Sequence, residues 1–201
     1  MPSTTQENPQ TRRRGARLAR SLLAGALALG LATAACAQKV KLATTAGDIV
    51  IALDREHAPK TVDNFLQYVK AGHYDGTVFH RVIPGFMVQG GGMTADLKEK
   101  PTRAPIALES RNGLVNQRGT LAMARTADPD SATSQFFVNL KHNAFLDAAQ
   151  APGGAGYAVF GKVVSGMDTV DKIAAVATGS KGPHQNVPLQ AVVIEKATLE
   201  P

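Results

Sequence analysis

The chain has 201 residues, of which 44% are hydrophobic and 19% are charged, with 19 glycines, 11 prolines and no tryptophan. This composition is ordinary for a globular protein and excludes a collagen, a disordered polymer and a polytopic membrane protein. The formal net charge of +6 suggests nucleic-acid binding. However, residues 1–37 contain five arginines and one glutamate and so account for +4 of this charge. Residues 38–201 hold 17 basic and 15 acidic side chains, a net charge of only +2. We therefore predict no nucleic-acid partner.

The first 37 residues are typical of an export leader. A basic stretch over residues 11–20 precedes an apolar run over residues 22–35, which is short and rich in alanine and glycine for a transmembrane helix. Ala35-Cys36-Ala37, before Gln38, matches a cleavage signal of small residues. We predict a signal peptide over residues 1–37, a mature domain over residues 38–201, and no stable membrane partner. A retained membrane anchor is the alternative.

Cys36 is the only cysteine of the chain and lies beside the predicted cleavage point. Lipidation at Cys36 would make the product a lipoprotein, but such signals favour a branched aliphatic residue where this chain has Thr33, so this is the less favoured alternative. After cleavage behind Ala37 the mature chain contains no cysteine, and it then has no disulfide, thiol nucleophile or cysteine-based metal site.

The mature region begins with two alternating apolar runs, over residues 40–44 and 49–53, around Gly47-Asp48, which predicts a β-hairpin. Pro59 at a first helical position and apolar residues at helical spacing predict a helix that ends at Gly72. A second helix is predicted over residues 167–176, with Ser165 and Asp168 as a capping box.

Short apolar runs, separated by Gly, Pro, Asn or Asp, occupy most of the remaining chain. They predict strands over residues 77–83, 86–89, 120–124, 135–140, 158–164 and 191–199. Seven or eight short strands with two helices are typical of a single domain built as a closed β-barrel or a sandwich.

Familiar catalytic motifs are absent from the sequence, which has no G-x-S-x-G, H-E-x-x-H or G-x-x-x-x-G-K-[ST] pattern. The five histidines lack the i, i+4 pairing of a metal site. The glycine-rich runs 90–92 and 153–156 do not open a helix behind a lysine and are interpreted as turns. Asp128 and Asp130 flank Pro129 as in a turn rather than as an acid–base pair. We predict neither a metal nor a cofactor.

Arg81 lies inside an otherwise apolar strand, and Gln89 closes the next one. Regular alternation would place Arg81 on one face with Phe79 and Ile83. Two interpretations remain open at this point. Arg81 is either an edge-strand residue whose head reaches water, or a guanidinium held beside an apolar pocket and ready to hydrogen-bond the backbone of a ligand.

Residues 79–91, which read FHRVIPGFMVQGG, resemble the signature of the cyclophilin-type peptidyl-prolyl cis–trans isomerases. Further blocks at residues 121–125, 134–138, 145–147 and 159–168 follow in the order of that family. The resemblance covers residues 40–199 and is greatest to the bacterial periplasmic branch, which implies a periplasmic location. It also implies a mainly β fold, a closed eight-stranded antiparallel β-barrel capped by two α-helices.

The resemblance assigns candidate site residues by position. Arg81 matches the catalytic arginine, and Gln89 matches the glutamine beside it. The pocket for the substrate proline ring matches four positions: Phe86, Met87, Phe137 and Leu146. The segment that pairs with the substrate backbone, and its neighbour, match another four: Ala124, Arg125, Thr126 and Gln135.

Two further positions of the pocket wall depart from many eukaryotic members. Phe145 stands where many have tryptophan, and Tyr157 stands where many have histidine. Both changes keep an aromatic wall. Because that tryptophan gives the inhibitor cyclosporin a hydrogen-bond donor and phenylalanine gives none, the resemblance implies weak cyclosporin binding.

The activity implied is rotation about X–Pro peptide bonds in proline-containing, unfolded or partly folded polypeptides, to assist the folding of exported proteins. No cofactor is needed, because the task is to stabilise a twisted amide rather than to break a bond. The alternative is a binding module or chaperone of the same fold with little turnover. The presence of both Arg81 and Gln89 favours the enzyme.

Overall fold

The computed structural model describes residues 37–200 of the chain. The predicted signal peptide therefore lies outside the described residues apart from Ala37, and so does Cys36. Within residues 37–200, no helix is both long enough and apolar enough to cross a membrane.

The described residues form ten strands and two α-helices. The strands are β1 (Lys39–Thr44), β2 (Gly47–Leu53), β3 (Thr77–Ile83), β4 (Met87–Thr94), β5 (Thr120–Met123), β6 (Phe136–Asn139), β7 (Val159–Ser165), β8 (Thr178–Lys181), β9 (His184–Pro188) and β10 (Val193–Glu200). Eight of them close into an antiparallel barrel in the order β1-β10-β3-β4-β6-β5-β7-β2. The predicted barrel is confirmed, and β1 and β2 form the predicted hairpin.

Helix α1 (Pro59–Lys70) begins at the predicted proline, and Gly72, with φ 63°, lies just beyond its end. Its buried face carries Val62, Phe65, Leu66 and Val69. The Phe65 ring is fully buried, with its centroid 5.1 Å from that of Tyr74, 5.6 Å from that of Phe136 and 5.2 Å from that of Phe160. This aromatic cluster, defined by Phe65, Tyr74, Phe136 and Phe160, joins the helix to the barrel core.

Helix α2 (Met167–Ala174) ends two residues before its predicted end at residue 176, and the predicted capping box is wrong. Ser165 belongs to β7, and Gly166, with φ 83°, occupies the cap position without a side-chain hydrogen bond. A Cβ atom on Gly166 would meet the carbonyl oxygen of Asp48 at 2.1 Å. The chain therefore passes from strand to helix through a left-handed residue, packed too closely against β2 for any side chain.

The interpretation of residues 90–92 as a turn is also wrong, because these glycines lie inside β4. A Cβ atom on Gly91 would approach the Phe136 ring to 2.8 Å and the Tyr74 ring to 2.9 Å. Gly91 therefore lets the strand pass close to the aromatic cluster. In the run 153–156, Gly153 and Gly154 do lie in a turn, a short 3-10 helix over Pro152–Gly154.

The hairpin of β8 and β9 was not predicted. These strands read TGSK and HQNVP, without the apolar alternation that marks a strand. Asn186 in the hairpin has φ 58°. The hairpin packs against β3, so contacts with the barrel rather than local sequence define it.

Candidate active site

Two apolar clusters lie on opposite faces of β4 and β6. Val88 and Val138 belong to the barrel core, whereas the adjacent residues Met87 and Phe137 belong to a second cluster. Because successive side chains of a strand point to opposite faces, this second cluster lies on the outside of the barrel. We call it the outer cluster; its buried members are Met87, Ala122, Phe137, Leu146 and Val159, with Ile83, Phe86, Leu114, Ala124 and Tyr157 packed against them.

A row of side chains crosses four neighbouring strands beside the outer cluster. Arg81 on β3 is paired with Gln89 on β4, Gln89 with Phe137 on β6, and Phe137 with Ala122 on β5. A guanidinium N–H of Arg81 donates to Oε1 of Gln89 at 3.3 Å, and Nε2 of Gln89 donates to Oε1 of Gln135 at 3.0 Å. The arginine is exposed, yet it is tethered at the border of an apolar surface.

The position of Arg81 combines features of the two interpretations left open by the sequence, since its head reaches water and it also lies beside the outer cluster. Strand β3 lies between β10 and β4 in the barrel, but its pairing with β10 ends at Val78, and Arg81 is paired only with β4. The expectation that Arg81 shares a face with both Phe79 and Ile83 is half wrong. A β-bulge between Phe79 and Arg81 sends Phe79 into the core and leaves Ile83 at the outer cluster.

Phe86 and Phe145 form a stacked aromatic pair at the rim of the outer cluster. Phe86 lies in the turn between β3 and β4, and Phe145 lies in a 3-10 turn over Ala144–Leu146. Their ring centroids are 5.6 Å apart with an interplanar angle of 28°. Phe145 is 53% exposed, which is unusual for a ring of this size and leaves its surface open to a ligand.

Tyr157 also packs against the outer cluster, and its N–H donates to the carbonyl of Leu146 at 2.9 Å. Its ring lies 5.6 Å from that of Phe137 in an edge-to-face arrangement, and the guanidinium carbon of Arg125 lies 4.6 Å from its centroid. Nε and NH2 of Arg125 donate to the carbonyl of Gly156 at 2.9 and 2.8 Å, and NH1 donates to the carbonyl of Thr126. Arg125 therefore holds the tyrosine by a cation–π contact and two hydrogen bonds to the preceding residue.

The segment 124–126, predicted to pair with a substrate backbone, borders the same surface. The Ala124 N–H donates to the carbonyl of Gln135 at 2.9 Å, and the Thr126 N–H donates to Oγ of Ser131 at 2.9 Å. These two donors are engaged inside the protein, which leaves the pairing role of this segment to its other backbone groups. All twelve candidate residues thus lie on or beside one face of the barrel.

Comparison with known proteins agrees with this architecture. A family model described as cyclophilin type peptidyl-prolyl cis-trans isomerase/CLD matches residues 39–199. The chain belongs to the cyclophilin-type peptidyl-prolyl cis–trans isomerase family. The resemblance seen in the sequence is thereby confirmed, and this cyclophilin is an enzyme of the isomerase class that its relatives represent.

Bacterial relatives are similar to this cyclophilin over most of its length. A peptidyl-prolyl cis-trans isomerase of Streptomyces antibioticus is 59% identical over 80% of this chain and 97% of its own. Peptidyl-prolyl cis-trans isomerase A of Dickeya dadantii is 57% identical over 80% of this chain and 83% of its own. A solved cyclophilin from Cryptosporidium parvum, 26% identical, superposes with a TM-score of 0.68 over 82% of this chain and 98% of its own.

His80, next to Arg81 in this cyclophilin, is buried, and its Nδ1 has no hydrogen-bond partner. Burial lowers the pKa of His80 to about 4, and the nearby Arg81 and His184 add to that shift. The imidazole is therefore neutral near pH 7, and the positive charge that β3 presents at the outer cluster is that of Arg81.

A group of buried polar residues beneath the aromatic rim was missed in the sequence. Asn116, Asn139 and Asn143 are fully buried, and Asp147 is nearly so. The one available signal was Asn139, a polar residue in the apolar run 135–140, comparable to Arg81 in β3. Within residues 37–200, no group of three or more His, Cys, Asp or Glu is arranged to hold a metal ion.

Proposed function

We propose that this cyclophilin uses Arg81 and the outer cluster to isomerise X–Pro bonds in exported polypeptides. The observation that carries the proposal is the location of a tethered guanidinium at the border of a buried apolar surface, where Arg81 contacts Gln89 and Gln89 is paired with Phe137. A relative from Cryptosporidium parvum was solved in the presence of the dipeptide Ala-Pro. This supports a proline-containing peptide as the ligand of the same surface.

The chemistry required is the stabilisation of a twisted amide. Rotation about an X–Pro bond crosses a barrier of roughly 18–20 kcal/mol because amide resonance must be broken. At the top of the barrier the imide nitrogen is pyramidal and recovers its lone pair, so it accepts a hydrogen bond that it cannot accept when planar. A donor aimed at that nitrogen binds the twisted state more tightly than either planar isomer, which is the condition for catalysis.

Each part of the site has a role in this scheme. Arg81 supplies the donor, since a guanidinium stays charged and presents fixed N–H groups. Gln89 holds it in place through the hydrogen bond at 3.3 Å, and Gln135 in turn orients Gln89. Four apolar side chains bind the proline ring and exclude water from one side of the bond: Phe86, Met87, Phe137 and Leu146. Phe145 and Tyr157 extend the aromatic wall.

The proposal is tested by following cis-to-trans relaxation of a peptide that contains Ala-Pro. The protein spanning residues 38–201 should bind the peptide and accelerate the relaxation when no metal or cofactor is added. Binding without acceleration would instead favour the peptide-binding module.

We expect weak cyclosporin binding because Phe145 offers no hydrogen-bond donor. The Phe145 side chain is exposed and stacked on Phe86, so a larger indole ring fits there without entering the core. Phe145→Trp should tighten cyclosporin binding by about 0.5–1.5 kcal/mol, a factor of about 2–13 in Kd. Isothermal titration calorimetry measures the change. Phe145→Leu, which adds no donor, is the control and should not gain affinity; equal affinities of Phe145→Trp and the wild type would contradict the explanation.

We also propose that the enzyme acts in the periplasm after loss of residues 1–37. The basic stretch, the apolar run and the Ala35-Cys36-Ala37 signal support export. Mass spectrometry of the processed protein should find Gln38 at the amino terminus. A diacylated Cys36 at the amino terminus would replace this proposal with a membrane-anchored lipoprotein, and an intact Met1 would argue against processing.

A further inference from the structure

The aromatic rim of the outer cluster is carried by turns rather than by strands. Phe86 lies between β3 and β4, and Phe145 and Leu146 lie in the 3-10 turn after β6. Turns are held less rigidly than a barrel ladder, whereas a binding wall must keep its geometry to within a fraction of an ångström. Some interaction has to join these two turns.

One side chain makes that connection. Nδ2 of Asn143 donates to the carbonyl oxygen of Phe86 at 3.0 Å and to Oδ1 of Asn139 at 2.7 Å. The same residue begins the turn that carries Phe145, and its carbonyl accepts the N–H of Leu146 at 2.9 Å. Asn143 is thus hydrogen-bonded to both turns and to the end of β6.

The partners of Asn143 are fixed in their turn by a buried network. Nδ2 of Asn139 donates to Oδ1 of Asn116 at 3.1 Å and to Oγ1 of Thr120 at 3.0 Å. The backbone N–H and Nδ2 of Asn116 both donate to Oδ1 of Asp147, at 2.7 and 2.8 Å. Because Asp147 ends the Phe145 turn, the network is hydrogen-bonded to both ends of that turn.

One acceptor of the network lacks a hydrogen-bond partner, which lowers the stability of the folded state. Oδ1 of Asn143 is buried without a hydrogen-bond partner. An unsatisfied buried acceptor destabilises the folded state, and such local violations are expected where function constrains the structure.

We infer that Asn143 is a positioning residue for the isomerisation, which joins the Phe86 turn to the Phe145–Leu146 turn so that the three side chains form one wall of the proline site. This inference rests on the proposed function, because it takes the outer cluster as that site. Asn143 does not touch the substrate in this scheme; it acts through the side chains that do.

The test compares Asn143→Leu with Thr77→Val. Leucine has nearly the shape of asparagine but donates no hydrogen bond, and the Phe86 carbonyl keeps its bond from the Leu140 N–H at 2.9 Å. Thr77 is the matched control, because it is fully buried, its Oγ1 donates to the carbonyl of Tyr74 at 2.6 Å, and it begins β3 at the end far from Ile83. Both variants lose a side-chain hydrogen bond to a backbone carbonyl, and Asn143→Leu also loses the bond to Asn139.

For each variant, kcat/KM on the Ala-Pro peptide, the Kd of that peptide and the urea midpoint are measured. Asn143→Leu should lower kcat/KM and weaken peptide binding about tenfold. Thr77→Val should lower the urea midpoint while kcat/KM and Kd stay within about twofold. If Asn143→Leu does not fold, Asn143→Ala is measured against the same thresholds.

A folded Asn143 variant whose kcat/KM and Kd match those of Thr77→Val would overturn the inference and leave Asn143 with a purely structural role. That result leaves the proposed function intact, provided that the wild type is active and Arg81→Ala is not. An inactive wild type would instead reject the proposed function, independently of Asn143.

Discussion

Replacing Arg81 by alanine should lower kcat/KM for X–Pro isomerisation by about 10²–10³, which corresponds to roughly 2.7–4 kcal/mol of transition-state stabilisation. The effect is large because the donated hydrogen bond exists mainly in the twisted state. Peptide affinity should change far less, since Phe86, Met87, Phe137 and Leu146 still hold the proline ring. Relaxation kinetics and equilibrium titration of the same peptide separate the two quantities.

Two further variants make the Arg81 experiment specific. Arg81→Lys should restore little activity, because a single flexible ammonium does not reproduce the planar set of donors. Arg55→Ala is the matched control; Arg55 is exposed, pairs with Asp63 at 2.7 Å and lies outside the outer cluster, so its loss should leave kcat/KM unchanged. Circular dichroism verifies that each variant is folded. Wild-type activity in folded Arg81→Ala would remove the catalytic role from this residue.

Replacing Phe65 by alanine should lower the free energy of unfolding by about 3–5 kcal/mol, the usual loss for a buried aromatic residue. Phe65 is fully buried and contacts the rings of Tyr74, Phe136 and Phe160, which lie in the turn before β3, on β6 and on β7. For a domain of this size, the melting temperature should fall by about 6–20 °C. Thermal and urea unfolding measure the loss.

Phe145→Ala is the control for Phe65→Ala, since the substitution is the same and only the environment differs. Phe145 is 53% exposed and stacks only on Phe86 among the aromatic rings, so the loss of stability should stay below about 1.5 kcal/mol. Its peptide and cyclosporin affinities should fall, in contrast to its small effect on folding. Equal losses of stability in the two variants would mean that the exposure of Phe145 has been misjudged.

The parts of the fold that follow local periodicity were predictable from the sequence. Helix α1 was predicted because a proline opens it and apolar residues recur at helical spacing, and β3 was predicted over the residues it occupies. The glycines of β4 were misassigned because they allow close approaches to other strands and turns, as Gly91 does to the rings of Tyr74 and Phe136. That contact joins residues distant in sequence, so no local pattern reports it.

The candidate site was predictable to a similar degree, and for related reasons. Periodicity alone left Arg81 between two interpretations, and the resemblance to cyclophilins was needed to relate it to Gln89 and Phe137. The Asn116–Asn139–Asn143 network escaped both approaches. Asparagine is ordinary in turns, and its burial here arises only when the loop before β5 meets the turn after β6.

The β-bulge in β3 determines which side of the barrel Arg81 faces. Phe79 and Arg81 are two residues apart and would share one side of a regular strand. Because of the bulge, Phe79 packs in the core and Arg81 faces solvent. A regular β3 of the same length would turn the guanidinium toward the inside of the barrel, whereas deleting His80 would make the two residues neighbours and keep them on opposite sides. The extra residue His80 thus keeps the charge on the solvent side while Phe79 packs in the core. Substitutions that straighten β3 at its present length should therefore remove Arg81 from the side of the proposed substrate.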